Sequence, residues 1–331
     1  MNKVTFYILV LLTSCIFNSC KTPSESVRSR TMEKQANEFL SRLPANLQRS
    51  QANAVRKAIA GDNSDLISVR NSRNVASKCS EGVVTRMLTS TLRIYEPISH
   101  DSEKLPLLIY FHGGGWTFGS INSCSRYCDA MAASGKVKVI AVDYRLAPEN
   151  PFPAGLEDCI NSVLYAIENS DSLGIDSRQI TLGGDSSGGN LAISTALSDT
   201  IAGKIKSLIL FYPVTKAFAD GSESWKKYGA GYGLDSELMT AFNDAYARNA
   251  NPKDSRISVG LCDENVMDKL PKTLLIAAGR DILRDQGVEF ERKSSGAVTR
   301  IEFTDAVHLF ITVPGQDEAF AKAVELSLKM F

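Results

Sequence analysis

Ser186 lies at the centre of GDSSG, residues 184–188, between a predicted strand at 178–183 and the helix-like stretch LAISTAL. A Gly-x-Ser-x-Gly motif at a turn from strand to helix lifts the serine hydroxyl above the sheet, where it can attack a substrate. Glycine is needed on both sides because a Cβ there would collide with the neighbouring strand or helix. The segment matches neither GxGxxG nor GxxxxGKS/T, which disfavours a phosphate-binding loop. Ser186 is therefore the predicted nucleophile.

HGGGW follows the apolar run LLIYF directly. Consecutive glycines leave backbone N–H groups unshielded by side chains, which suits them to bind a developing oxyanion in a water-poor site. We expect the N–H groups of Gly113 and Gly114, together with that of Ser187, to form an oxyanion hole. His112 is interpreted as an anchor of this loop rather than as the base. Trp116 is a candidate wall of the substrate pocket.

A serine hydroxyl becomes a strong nucleophile only when a base accepts its proton and a carboxylate orients that base. The chain has three histidines, at positions 100, 112 and 308. His100 lies in the polar stretch ISHDSEK, whereas His308 follows the last predicted strand. A serine in this kind of turn calls for a base late in the chain, so His308 is the predicted base.

The predicted acid is Asp281, which comes just after the apolar strand TLLIAA. Asp285 lies one helical turn further on, and Asp305 is too close to His308 in sequence to reach its ring easily. Both stay open as weaker alternatives. The resulting order of Ser186, Asp281 and His308 is the order expected for hydrolases with this serine turn.

Strand and helix patterns alternate from residue 105 to the end of the chain, preceded by extended chain at 85–96. Repeated strand, helix, strand units predict a mainly parallel sheet covered by helices on both faces, with ligands at the carboxyl ends of the strands. The predicted strands are 105–111, 136–142, 178–183, 206–212, 273–278 and 298–303, and the predicted helices are 121–133, 154–169, 188–198, 284–294 and 316–330.

Two segments fall outside this alternation. Residues 32–60 carry apolar residues at helical spacing, and residues 215–260 form a polar and aromatic insertion with a helix-like stretch at 236–250. An insertion of that length in a compact domain is usually functional. We predict a single domain over 32–331, in which these two segments form a helical cap.

HGGGW, GDSSGG, the DILRD segment and the late His308 occur in this order, with VDYRLAPE and FPA between the glycine motifs. In these motifs the chain resembles the hormone-sensitive-lipase-like esterases of the α/β-hydrolase superfamily. The resemblance implies an α/β-hydrolase fold with a helical cap, and a carboxylic ester hydrolase that forms an acyl-enzyme through a Ser–Asp–His triad. It implies short or medium acyl or acetyl esters as substrates, and no metal or organic cofactor. Ser187 replaces the commoner alanine, and Leu309 replaces the commoner glycine after the base.

The whole chain has the composition of a folded protein, with 44% apolar and 22% charged residues among 331. Lysine plus arginine equal aspartate plus glutamate at 37 each, so no overall field favours nucleic acid as a partner. Cys124 and Cys128 are spaced to share one helix face, but no histidine or second cysteine pair completes a metal site. The five cysteines after residue 20 are an odd number and do not make a disulfide framework.

The first residues, MNKVTFYILVLLTSCIFNSC, place Lys3 before a short apolar run and small residues beside cysteines. A run of this length is short for a membrane span and is typical of a signal peptide, predicted at residues 1–20. The pattern resembles a bacterial lipoprotein signal, with Cys20 or Cys15 as the lipidated cysteine and candidate membrane anchor. We expect an exported protein, periplasmic or membrane-anchored, with a polar linker at 21–31.

Two other functions would use the same residues. A fold does not dictate function, so a non-catalytic ligand-binding protein on the hydrolase scaffold stays open, although such proteins typically lose a triad residue. A peptidase or amidase could use the same triad, but no propeller or other large gating domain accompanies it. A small-molecule ester remains the favoured substrate.

Overall fold

The computed structural model describes residues 25–100 and 103–331, so the predicted signal peptide, with Cys15 and Cys20, lies outside the described residues. The strands are β1 (Glu25–Val27), β2 (Val83–Met87), β3 (Leu92–Pro97), β4 (Leu105–Phe111), β5 (Lys138–Val142), β6 (Ile175–Asp185), β7 (Ser207–Phe211), β8 (Lys272–Arg280) and β9 (Val298–Val307). Within the described residues they form one nine-stranded sheet, ordered β1-β9-β8-β7-β6-β4-β5-β3-β2. Only the β2–β3 and β3–β5 pairs in this sheet are antiparallel, which agrees with the predicted mainly parallel sheet.

Helices connect the strands and cover both faces of the sheet. They are α1 (Arg30–Arg42), α2 (Leu47–Ile59), α3 (Ser64–Arg73), α4 (Ser125–Ala132), α5 (Ala154–Glu168), α6 (Ser187–Leu197), α7 (Glu223–Tyr228), α8 (Ser236–Tyr246), α9 (Glu264–Met267), α10 (Arg284–Lys293) and α11 (Asp317–Leu328), with a short 3₁₀ helix at Val259–Leu261. No helix in the described part of the chain is both long and apolar enough to cross a membrane.

Alternation along each strand divides the core into two layers. In β4, Leu107, Ile109 and Phe111 belong to the layer covered by α5 and α6. Leu108 and Tyr110 belong to the opposite layer, covered by α4 and α11. Because side chains alternate between the faces of a strand, a strand with both faces covered is apolar along its whole length. The run LPLLIYF therefore specifies a central strand.

The carboxyl ends of the parallel strands present the residues of chemical interest. His112 directly follows β4, Ser186 follows β6 and Tyr212 follows β7. Asp281 and His308 follow β8 and β9, which are neighbours in the sheet. Parallel strands end at the same edge of the sheet, so residues separated by almost two hundred positions converge there.

The two predicted cap segments differ in position. From the N-terminal segment, α2 packs against α8, and Arg56 forms an ion pair with Glu237 at 2.7 Å across the two helices. In contrast, α1 lies along β9 and α11, because its buried Met32, Ala36 and Phe39 face them. The helix α3, which packs on α2, was not predicted from the sequence pattern.

The predicted linker at 21–31 is partly structured. Glu25–Val27 pair in parallel with residues 301–303 at the edge of the sheet. Ser29 caps α1, and its hydroxyl donates to Glu318 at 2.8 Å. Residues 25–31 therefore pack on the folded domain, unlike the predicted linker. Backbone pairing at a sheet edge and a side-chain cap need no apolar pattern, so the sequence did not indicate either contact.

Candidate active site

Ser186 occupies a sharp turn between β6 and α6. Its backbone has φ 53° and ψ −118°, outside the regions favoured by residues with a Cβ. A Cβ added to Gly184 would lie 2.3 Å from the carbonyl carbon of Gly188, and one added to Gly188 would lie 2.0 Å from the carbonyl oxygen of Phe111. Both glycines are therefore required. The Ser186 N–H donates to the Phe211 carbonyl at 2.9 Å, which ties the turn to β7.

Asp281 and His308 lie in direct contact across β8 and β9. The Asp281 Oδ2 atom is 2.6 Å from His308 Nδ1, and both side chains are buried. The other carboxylate oxygen of Asp281 accepts the N–H of Leu283 at 2.9 Å. When a neutral His308 ring donates Nδ1–H to Asp281, its Nε2 atom is left as a hydrogen-bond acceptor.

The two weaker acid candidates make other contacts. Asp285 accepts the N–H of Ser224 at 2.8 Å, and Asp305 accepts the N–H of Ser29 at 3.1 Å. Neither contacts the His308 ring in the described structure. Asp281 is the carboxylate that the fold brings to this histidine.

The hydroxyl of Ser186 and the ring of His308 are not in hydrogen-bond contact in the described structure. Within residues 25–100 and 103–331, no hydrogen bond links the Ser186 hydroxyl to the His308 ring. In enzymes without substrate, hydrogen bonds of this kind are often long and tighten in the complex. The Asp281–His308 contact is thus the preformed part of the arrangement.

The glycine loop after β4 corrects one predicted oxyanion donor. The Gly113 N–H donates to Asp185 Oδ1 at 3.0 Å, so this group is occupied inside the protein. Within the described residues, the N–H groups of Gly114, Gly115 and Ser187 have no acceptor. The free donors of the loop are therefore shifted by one residue from the predicted pair Gly113 and Gly114.

Asp185 is a residue of the site that sequence reasoning passed over. Its Oδ1 atom accepts the hydroxyl of Tyr110 and the N–H of Gly113, each at 3.0 Å. Burial raises the pKa of Asp185 to about 6, because the two hydrogen bonds offset only part of the cost of removing the charge from water. The position of Asp185 directly before Ser186 in GDSSG is the sequence feature that could have identified it as a site residue.

His112 anchors the glycine loop, as its position in the sequence suggested. The ring nitrogen Nδ1 bonds to the Gly113 carbonyl at 2.9 Å, and the ring stacks on Tyr144 at 4.3 Å between centroids. Burial lowers the pKa of His112, so the ring is neutral near pH 7. Its backbone carbonyl accepts the Tyr144 hydroxyl at 2.7 Å.

Trp116 is packed inside the protein rather than open to the site. It is 1% exposed and stacks on Tyr246 of α8 with ring centroids 4.4 Å apart. It does not line the cavity beside the glycine loop. The indole therefore connects this loop to α8, and its predicted role as a pocket wall is corrected.

The loop after β9 holds a strained residue next to the histidine. Leu309 has φ +72°, a left-handed conformation that suits the glycine more common at this position. Tyr212, directly after β7, packs against this loop. Its ring lies 4.3 Å from the His308 ring, and its hydroxyl oxygen accepts the Ile311 N–H at 3.3 Å.

A cavity of about 160 Å³ opens beside these groups. Its walls include Gly113, Gly114, Asp185, Leu309 and Arg73. A larger surface depression of about 500 Å³ lies at the amino ends of β4 and β6, away from this edge of the sheet. Ligands of parallel sheets bind at the carboxyl ends, which favours the smaller cavity. Among the described residues, no cluster of His, Cys, Asp or Glu could hold a metal ion.

Known proteins are similar to this chain in sequence and in fold. A family model for the alpha/beta hydrolase fold matches residues 108–312. An arylesterase from Saccharolobus solfataricus is 34% identical over 228 residues, 67% of this chain and 73% of its own. An ethyl acetate hydrolase from Pseudomonas putida is 32% identical over 251 residues, 72% of this chain and 77% of its own. The crystal structure of carboxyl esterase 2 from Tuber melanosporum has a TM-score of 0.70 and 27% identity, covering 78% of this chain and 89% of that one.

Proposed function

Because the chain belongs to the hormone-sensitive-lipase-like family of the α/β-hydrolase superfamily and is a carboxylic ester hydrolase, we propose that Ser186, His308 and Asp281 perform its reaction. The observation that carries this proposal is the buried 2.6 Å contact between Asp281 and His308 at the edge of the sheet where Ser186 stands. The mainly parallel sheet with helices on both faces is the fold expected of this family.

In the proposed reaction, Ser186 Oγ attacks the ester carbonyl carbon while His308 Nε2 accepts the hydroxyl proton. Asp281 holds the Nδ1–H of the ring and stabilises the imidazolium that forms. The carbonyl oxygen becomes an oxyanion, and it accepts hydrogen bonds from the free N–H groups of Gly114, Gly115 and Ser187. Loss of one such donor costs roughly 3 to 4 kcal/mol of barrier in related chemistry.

Collapse of this intermediate breaks the ester C–O bond. His308 then gives its proton to the leaving alcohol, and the acyl group stays on Ser186. A water molecule, deprotonated by the same ring, attacks the acyl carbon. The bond between this carbon and Ser186 Oγ breaks, His308 returns the proton to Oγ, and the acid is released. No step in this sequence draws on a metal or organic cofactor.

The cavity supports a small acyl or acetyl group as substrate. A volume of about 160 Å³ is close to that of a cavity that holds one benzene molecule. The side chain of Leu309 occupies space that the commoner glycine would leave empty. We therefore propose short-chain esters as the preferred class.

The test uses p-nitrophenyl acetate, butyrate and octanoate with wild type and Ser186→Ala. We expect acetate and butyrate to react fastest, and Ser186→Ala to lose activity by at least 10³-fold. Labelling by a fluorophosphonate should require Ser186, because a non-catalytic binding protein would not react. Equal hydrolysis by wild type and Ser186→Ala would overturn the proposal.

A further inference from the structure

Arg73, the last residue of α3, reaches the cavity beside the proposed oxyanion donors. It is half-buried and forms part of the wall that includes Gly113 and Gly114. Its guanidinium carbon lies 5.2 Å from the centre of the Phe118 ring, a distance at which the ring face attracts a cation. The guanidinium is thus held over an aromatic ring at the margin of the site.

Arg73 has no anionic partner in the described chain. Across residues 25–100 and 103–331, its guanidinium makes neither a hydrogen bond nor an ion pair. The nearest candidate, Asp185, already accepts from Tyr110 and Gly113 and makes no direct bond to Arg73. Burial lowers the pKa of Arg73, and the nearby charge of Asp185 offsets only part of this effect. The guanidinium keeps its charge and its five N–H donors for a ligand.

The helix that carries Arg73 is fastened to the site. Arg70, one turn earlier, donates to the Thr117 carbonyl at 2.8 Å and forms an ion pair with Glu149 at 2.7 Å. Asn74, directly after Arg73, accepts the hydroxyl of Ser120 at 2.7 Å. These contacts fix the end of α3 on both sides of Arg73. Its side chain is therefore positioned before any substrate arrives, which lowers the entropy lost on binding.

We propose that Arg73 binds a carboxylate carried by the substrate, so that the preferred ester has an anionic group close to the scissile bond. This inference rests on the proposed function and specifies that the ester substrate is negatively charged. The planar guanidinium matches a carboxylate with two parallel hydrogen bonds. The cavity volume of about 160 Å³ limits the spacer to a few carbon atoms. Leu309 and Val313, also in the wall, suit that short apolar spacer.

The experiment compares esters that differ by one carboxylate. Monomethyl succinate against methyl butyrate tests a charge on the acyl side, followed by acid release in a pH-stat. The ester 4-acetoxybenzoate against phenyl acetate tests a charge on the alcohol side, followed by phenol absorbance. In at least one pair, Arg73→Gln should lower the anionic-to-neutral ratio of kcat/KM by about 10- to 100-fold, the range of hydrogen bonds to charged groups.

Three variants serve as controls. Arg73→Lys should keep part of the preference, because it retains the charge and loses the paired geometry. Arg292→Gln, at an exposed arginine of α10 whose side chain makes no hydrogen bond or ion pair in the described structure, should leave the ratio unchanged. Ser186→Ala should abolish all of the activities. Rising salt should weaken the preference of wild type, which tests the inference without a variant at position 73.

The outcomes separate the two proposals. An unchanged ratio in both pairs, with neutral esters still hydrolysed, would overturn the role of Arg73 and leave the esterase mechanism standing. An equal fall for neutral and anionic esters would also overturn it, because Arg73 would then act through Asp185 or the loop. Hydrolysis that persists in Ser186→Ala would instead overturn the proposed function.

Discussion

Asp185 offers a sharp test of how a buried charge is tolerated beside the nucleophile. Its pKa rises from the ordinary 3.8 to about 6 on folding, because burial opposes ionisation. Each pKa unit corresponds to about 1.36 kcal/mol, so the shift amounts to about 3 kcal/mol. The folded protein binds this proton more tightly than the unfolded chain does. The stability that this proton provides is therefore present below pH 3.8 and lost as pH rises through about 6.

Asp185→Asn removes this titration and keeps an oxygen for the two donors. Asp185 is buried, so the new amide N–H groups lose their contact with water, at a cost in stability that does not depend on pH. We expect the difference in unfolding free energy, variant minus wild type, to grow by about 2.4 kcal/mol from pH 4 to pH 8, because the unfolded carboxyl is already more than half ionised at pH 4. Urea denaturation of both proteins at five pH values measures this difference. A difference that does not change with pH would refute the reasoning.

Asp185→Ala separates the charge from the hydrogen bonds. It leaves the Gly113 N–H and the Tyr110 hydroxyl buried without an acceptor, at about 1 to 3 kcal/mol each. We expect a loss of about 2 to 6 kcal/mol in stability at low pH, where the Asp185 carboxyl is protonated in both the folded and the unfolded chain. We also expect a fall in kcat of about 10²-fold as the glycine loop loosens. Asp185→Asn should stay within tenfold of the wild-type kcat, because the Gly113 bond is retained.

Two further substitutions probe the base and its loop. Asp281→Asn should lower kcat on p-nitrophenyl butyrate by about 10⁴-fold at unchanged KM, because its oxygen stays with the Leu283 N–H and its N–H₂ faces His308, which favours the wrong ring tautomer. A loss below tenfold would contradict this. Leu309→Gly should exceed Leu309→Ala in unfolding free energy by about 1 kcal/mol, because only glycine relieves the strain at φ +72°. Glycine variants are usually less stable than alanine variants, and urea denaturation measures whether this order is reversed at position 309. An alanine variant of equal or greater stability would argue against strain.

The central sheet was predictable because its strands are buried on both faces. The run at 105–111 was predicted as a strand and is β4, with the same bounds. The strands after it were predicted within a few residues of their ends, although β6, β8 and β9 are longer than predicted. Continuous apolar runs between turn residues leave few alternatives to a strand in a parallel sheet.

Polar elements left much weaker signals. In α3, SDLISVRNSR has a single fully buried residue, Leu66, so no apolar stripe marked it as a helix. It is held instead by Arg70 and Asn74, whose partners are between 46 and 79 residues away. Likewise β1 has three residues, and its pairing with β9 uses backbone groups that every sequence possesses.

The oxyanion loop shows where local patterns stop being informative. HGGGW identified the loop, but which N–H groups are free depends on Asp185, 72 positions away at the end of β6. The contact between Asp281 and His308 was easier to infer, because each residue directly follows a strand and the two strands are neighbours. The order of residues in the chain and of strands in the sheet is therefore enough to predict contacts between residues that directly follow neighbouring strands. Gly115 lies close to the Phe242 ring and Arg73 lies over the Phe118 ring, so the roles of both follow only once contacts between distant segments are known.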